Sequence, residues 1–404
     1  MDDPNQAPTS NHIDESQPEQ VTSVRSLREL IDRVTGRDLD LGKPQEAAGY
    51  ADVVPFPFLA LVGQAEMKLA LLLAMINPNL SGVLLIGPRG TGKTTAVRSL
   101  PALLPKVPRS LCYYGCLPED IERGGIDAVC PDCAEKYAKG EPLASLDRVR
   151  LVELPLNARL EDAIGSLDER AAMSGHVRIR RGILAQADRN LLYVDEINLL
   201  DDEVVDAILD AAAQGYYTVR RGGISANYNA RFVLIGSMNP EEGQLRPQIM
   251  DRFGLRVVVR GLEEPQDRLE AYRRVHAYKT NPHQVSSQFE DETALVQDDI
   301  QNARDLISRV EIPDQIAQMG LELVERLNID SLRAEITLFE AARAHAIADA
   351  RFEVDEEDLH AVAPMSLRLR RSSYIESYFA QRDDEEQELT SILDEIIPLD
   401  QLED

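Results

Sequence analysis

The chain has 404 residues, with 70 Asp and Glu against 43 Lys and Arg and a formal net charge of −27. Such an acidic surface repels phosphate backbones and anionic headgroups, which argues against nucleic acid or an anionic membrane as a general partner. No run approaches the ~20 consecutive apolar residues of a membrane span, and the polar stretch from Met1 to Gln20 lacks the apolar core of a secretion signal, so a cytoplasmic protein is the expectation.

Residues 1–22 are rich in Asp, Glu, Gln, Asn, Ser and Pro and read as a disordered acidic extension. Residues 23–54 follow as a helix and linker, with Val24, Leu27, Leu30, Ile31 and Val34 at helical spacing before Gly36. From residue 55 to about 260 the apolar runs VLLIG, VRLVELP, NLLYVDE and RFVLIGSMN alternate with helical patterns. That alternation predicts a parallel sheet with helices on both faces.

The first run, Val83 to Ile86, leads into Gly87, Pro88, Arg89, Gly90, Thr91, Gly92, Lys93, Thr94 and Thr95, and the stretch from Ala96 to Leu104 reads as a helix. Strand, glycine-rich loop and helix are the context of a phosphate-binding P-loop. The glycines let the backbone turn and aim successive N–H groups at a phosphate. Lys93 would reach the β- and γ-phosphates of ATP, and the Thr94 hydroxyl would sit on Mg²⁺.

The next segment, residues 109–148, contains every cysteine of the chain: Cys112 and Cys116, then thirteen residues, then Cys130 and Cys133. Two close pairs separated by a loop have the spacing of a zinc ribbon, with four thiolates for a tetrahedral Zn²⁺ site. Unliganded or redox-active thiols and an iron–sulfur cluster are the other uses of such a set; disulfides do not suit a cytoplasmic chain.

Leu191 to Val194 is an apolar strand that ends in Asp195 and Glu196, the pattern of a Walker B element. Asp195 would hold Mg²⁺, and Glu196 would act as general base on the attacking water. Gly215 to Ala226 alternates around Gly222 and Gly223 and reads as a hairpin. The strand Phe232 to Met238 ends at Asn239, which either orients the lytic water or simply makes the Asn239-Pro240 turn, or does both. Arg252, just past a short helix, and Arg333, at the start of another, read equally as surface ion pairs or as an arginine finger and a phosphate contact. Residues 261–370 are almost wholly helical in pattern, with Pro282 to Gln288 read as a loop, and His276 and His345 read as packing or surface residues. Residues 371–404 form an acidic tail in which Leu389, Ile392, Leu393, Ile396 and Ile397 keep helical spacing, as a docking helix or a solvated tail would.

The chain resembles the AAA+ ATPase subunit of magnesium chelatase, the enzyme that inserts Mg²⁺ into protoporphyrin IX. The resemblance is carried by FPFLALVGQAEMKLALLLAMINP (56–78), GPRGTGKTT (87–95), RGILAQADRNLLYVDEINLLDD (181–202), ARFVLIGSMNPEEGQLRPQIMDRFGLRV (230–257) and SLRAEITLFEAARAHA (331–346). It implies a P-loop AAA+ α/β domain followed by a helical lid, assembled into a ring, expected to be a hexamer, with ATP sites between subunits. On it, Lys93 and Thr94 are Walker A, Asp195 and Glu196 Walker B, Asn239 sensor 1, Arg252 a finger acting on the neighbour and Arg333 sensor 2. The implied partner is a large chelatase subunit or another adhesion-domain protein. A MoxR-like chaperone ATPase acting on a protein client is the alternative, and a DNA-remodelling ATPase is disfavoured by the charge. The chain departs from the family in having Pro88 for Asp and Thr94 for Ser, and in the cysteine insert.

Overall fold

The computed structural model describes residues 54–112, 114–167, 179–221, 224–243 and 245–370. The acidic extension, the 24–34 helix and the acidic tail expected from the sequence lie outside the described residues.

The chain enters through α1 (Ala65–Ile76), β1 (Val83–Ile86) and α2 (Lys93–Ser99). The cysteine insert contributes β2 (Val107–Ser110), α3 (Pro118–Gly124), α4 (Pro131–Ala138) and β3 (Ala144–Asp147). Then come β4 (Leu151–Leu154), α5 (Leu160–Ile164), β5 (Gly165–Leu167), β6 (Ile179–Arg181) and α6 (Ile183–Gln186). They are followed by β7 (Leu191–Val194), α7 (Asp202–Gln214), β8 (Tyr216–Arg221), β9 (Ile224–Asn229), β10 (Val233–Met238), α8 (Pro247–Arg252) and β11 (Leu255–Val258). The helical part comprises α9 (Pro265–Thr280), α10 (Pro282–Gln288), α11 (Glu290–Leu306), α12 (Asp314–Arg326), α13 (Leu332–Ala348) and α14 (Glu356–Leu367).

Five strands form one sheet in the order β11-β1-β10-β7-β4, all neighbours parallel. The run Val83-Leu84-Leu85-Ile86 is apolar throughout because both of its faces are covered. Successive side chains point to opposite faces. Val83 and Leu85 therefore join the core built with α1 and the lid helices, while Leu84 and Ile86 join a second core with Val204, Val205 and Ile208 of α7. Burying each such side chain contributes roughly 1.5–3 kcal/mol. Gly254, between α8 and β11, is required by close approach: a Cβ there would lie 1.7 Å from the Leu80 carbonyl oxygen.

Two sequence expectations are corrected. Pro282 to Gln288 is the helix α10 rather than a loop. The Asn281 side chain caps it by accepting from the Gln284 N–H at 3.2 Å, and Pro282 sits at the first helical position, where its missing N–H costs nothing. The helix after the glycine loop begins at Lys93 instead of Ala96, and after Ser99 it tightens into a 3-10 turn, Leu100–Leu103, that contains Pro101.

Candidate functional site

The C-terminal ends of β1, β7 and β10 converge on one cleft of about 230 Å³. It is lined by the loop from Arg89 to Thr95, by Asp195 and Glu196 after β7, and by Ser237, Met238 and Asn239 at the end of β10. Ligand sites of open α/β sheets lie at this edge, outside the carboxyl ends of the strands. Gly87 anchors the loop by donating its N–H to the Met238 carbonyl at 3.1 Å. A Cβ at Gly87 would lie 2.1 Å from the Val259 oxygen, so no other residue fits.

Lys93 is buried, and its Nζ donates to the carbonyls of Gly87 at 2.7 Å and Pro88 at 2.8 Å. Burial holds its pKa below the usual 10.5, while the charges of Asp195, Glu196 and Glu242 pull it back up. An ammonium already stripped of water and facing three carboxylates is suited to a polyanion chelated to a divalent cation. Thr94 Oγ1 lies 3.1 Å from the Tyr193 hydroxyl and 3.4 Å from Asp195 Oδ2. Tyr193 donates to Asp195 Oδ1 at 2.9 Å, and Ser237 Oγ donates to the same oxygen. Burial pushes the Tyr193 hydroxyl up to about 12, so it stays a neutral donor. Thr94 and Asp195, the expected Mg²⁺ ligands, are thus side by side, with Tyr193 and Ser237 orienting the carboxylate. Neither orienting residue stands out in sequence beyond its place in an apolar strand.

Glu196 sits in the left-handed region at φ 48°, an uncommon conformation for a residue with a Cβ and one that concentrates at functional sites. Its N–H donates to Ser237 Oγ at 3.3 Å, and its carboxylate pairs with Arg89 at 3.0 Å, a guanidinium shared with Glu242. Asn239 is buried, and its Oδ1 accepts from the Glu241 N–H at 3.3 Å. Asn239 therefore makes the turn and lines the cleft at once.

The two arginines lie elsewhere. Arg252 ends α8 and pairs with Asp210 of α7 at 2.7 Å. Arg333 reaches Asp251 at 3.6 Å, the carboxylate that also takes Arg370 at 2.8 Å and Arg256 at 3.4 Å. Neither lines the cleft of its own chain.

The four cysteine sulfurs lie within 4.8 Å of one another. Cys112 Sγ is 3.8 Å from Cys116 Sγ and 3.5 Å from Cys130 Sγ. These are the separations of a tetrahedron with Zn–S bonds of ~2.3 Å, whose sulfurs lie about 3.8 Å apart, and they are far longer than a disulfide. The N–H of Tyr114 points at Cys112 Sγ at 3.2 Å and that of Cys130 at Cys116 Sγ at 3.3 Å. Burial would raise the Cys112 thiol, but the Tyr114 N–H and the neighbouring thiols bring it below 9.0, whereas burial pushes Cys116 up to about 12. The donor set fits a soft divalent cation.

A parallel sheet with a P-loop, an Asp-Glu strand end beside it and a helical lid defines an AAA+ ATPase, which takes ATP with Mg²⁺. A family model described as the AAA lid domain matches residues 322–392, and one described as the MCM P-loop domain matches residues 161–267. The chain is similar in fold to a solved putative ATPase from Cytophaga hutchinsonii, at 19% identity, with a TM-score of 0.52, over 78% of this chain and 84% of that one. The magnesium-chelatase subunit ChlI homolog of Methanocaldococcus jannaschii is 41% identical over 323 residues, 79% of this chain and 87% of the relative. The magnesium-chelatase 38 kDa subunit of Acidiphilium rubrum is 43% identical over 332 residues, 81% and 94% of the two chains. The chain belongs to the family of magnesium-chelatase ATPase subunits. Among the described residues no helix is long and apolar enough to cross a membrane.

Proposed function

We propose that this chain is the ATP-hydrolysing motor of a magnesium-chelatase complex, driving Mg²⁺ insertion into protoporphyrin IX by a larger partner subunit. The observation that carries the reading is the cleft in which Lys93, Thr94, Asp195, Glu196 and Asn239 converge, in a chain of this family. In this reading the α/β ATPase domain spans 55–260, with the cysteine insert at 109–148, and the lid spans 261–370.

In this reading the loop from Gly87 to Thr95 cradles the phosphates and Lys93 neutralises the β- and γ-groups. Thr94 and Asp195 hold Mg²⁺, whose charge offsets that developing on the transferred phosphoryl. Glu196 takes the proton of the attacking water, and Asn239 orients that water. Arg89, paired with Glu196 and Glu242, is a further cation at the mouth. Arg252 completes the site of the next subunit in a hexameric ring. Arg333 is the sensor 2 contact; a phosphate contact in its own chain requires it to leave its pair with Asp251. The cysteine insert is a structural zinc site.

The test is nucleotide binding and turnover by two variants. Lys93→Ala is expected to lose nucleotide binding, and Glu196→Gln to bind ATP normally while turnover falls by about 10³-fold. Wild-type turnover by Glu196→Gln overturns the assignment of the base. Stimulation of the wild-type ATPase by a porphyrin-binding large subunit, rather than by an unrelated protein client, separates chelatase from chaperone.

A further inference from the structure

The insert does more than hang from the ATPase body. Cys116 is followed by Leu117 and then by α3, whose first turn contains Glu119 and Asp120. Both acids reach back to the body. Glu119 pairs with Arg189, while Asp120 lies 3.6 Å from Arg231 Nη1 and accepts from Asn229 Nδ2 at 3.2 Å. Arg231 is held from its other side by Asp188, with both contacts at 3.1 Å. One guanidinium therefore bridges a carboxylate of the insert and a carboxylate of the body. Asp120 and Asp188 are only 15% and 11% exposed, so solvent screens these pairs less than ordinary surface bridges.

The location of these contacts is specific. Arg189 stands just before β7, Arg231 just before β10, and Asn229 ends β9. The Arg189 N–H donates to the Arg231 carbonyl at 2.6 Å, tying the two strand starts together. The same two strands deliver Asp195, Glu196 and Asn239 at their far ends, roughly 13–20 Å away for strands of this length. The hold of α3 on this point depends on the insert keeping its shape. Among its described residues the buried cluster is Cys116, Cys133 and Leu143, with Cys112, Ile121, Val129 and Cys130 packed against it and Leu117 buried beside α3, still a small core for ordering a segment of this length.

We propose that the metal-bound insert is a clamp on the Walker B and sensor strands: by fixing α3 it holds Glu119 and Asp120 on Arg189, Arg231 and Asn229, and so sets the position of the hydrolytic residues at the opposite strand ends. The proposal rests on the zinc reading above. Glu119 and Asp120 are positioning residues that touch neither nucleotide nor metal.

The experiment uses the full chain and three readouts: zinc by mass spectrometry, steady-state ATP hydrolysis, and hydrogen exchange of peptides spanning 186–194 and 228–236. Glu119→Gln/Asp120→Asn keeps all four cysteines. It is expected to retain one zinc per chain and wild-type KM, to lose about tenfold in kcat, and to exchange faster at both strand starts. Cys116→Ser/Cys133→Ser is expected to lose zinc and to show the same kcat and exchange changes. Should the double cysteine change unfold the chain, the single Asp120→Asn variant carries the test, with a smaller fall in kcat at unchanged KM. Wild-type protein without zinc overturns the zinc reading and the clamp with it. A zinc-loaded acid variant with wild-type kcat and exchange overturns the clamp alone.

Discussion

Tyr193 ties the two halves of the cleft together, since its hydroxyl lies between Thr94, Asp195 and Ser237. Groups that orient a metal ligand without touching the metal are worth about tenfold or more in metal affinity. Tyr193→Phe is accordingly expected to raise the Mg²⁺ concentration for half-maximal ATPase about tenfold, at unchanged ATP affinity in saturating Mg²⁺; titrating Mg²⁺ against turnover checks it. That the loop, Asp195, Glu196 and Asn239 meet at one cleft is legible in sequence, because each follows an apolar strand of a parallel sheet. Tyr193 and Ser237 are not, since an apolar strand accepts Tyr or Ser for packing reasons and only the register between β7 and β10 brings them to one carboxylate. Arg252 and Arg333 were legible as residues, but their ion pairs with Asp210 and Asp251 depend on tertiary placement that no local pattern encodes.

At the scale of elements, the hydrophobic alternation predicted the parallel sheet because strands buried on both faces must be apolar throughout. The sequence reads as a loop where α10 forms because Asn-Pro at its start is a turn signal, and the same two residues are also good helix openers when a helix follows. The lid shows a comparable economy where α13 meets α14. Asp358, fully buried, accepts from Arg351 at 2.6 and 2.8 Å and from the Asp355 N–H at 2.9 Å, and lies 2.6 Å from His345 Nδ1. Burial alone would raise this carboxyl, yet these hydrogen bonds outweigh it and hold the pKa below 3.8. A depressed acid stabilises the fold above its unfolded pKa, and that contribution disappears as pH falls through the folded value. Asp358→Asn is expected to cost about 2–3 kcal/mol at pH 7. Thermal melts of the variant and the wild type should differ at pH 7 and draw together as pH falls below 3.8 through the depressed value; a constant difference down to acid pH would argue against the ionised carboxylate as the source.

For the whole molecule, Arg89 is the one arginine among the described residues that lines the cleft, and Arg252 sits apart from it on α8. The ring reading turns this into a complementation experiment. Arg252→Ala alone is expected to bind ATP normally and to lose about 10³-fold in turnover. Mixing it with Lys93→Ala chains, which are themselves inactive but carry an intact Arg252, should restore part of the activity at interfaces where the two meet. No recovery on mixing would place Arg252 in its own chain's chemistry or in none. The cysteine insert has a different bearing on the whole. It departs and returns through β2 and β3, with Ser110 directly opposite Ala144, so its two ends are neighbours across a single strand pair. A segment that begins and ends at one place can be lengthened, exchanged or excised at small cost in chain entropy. The insert is thus closed on itself at its base, so changes at its tip add little chain entropy, while its grip on the body is carried by Glu119 and Asp120.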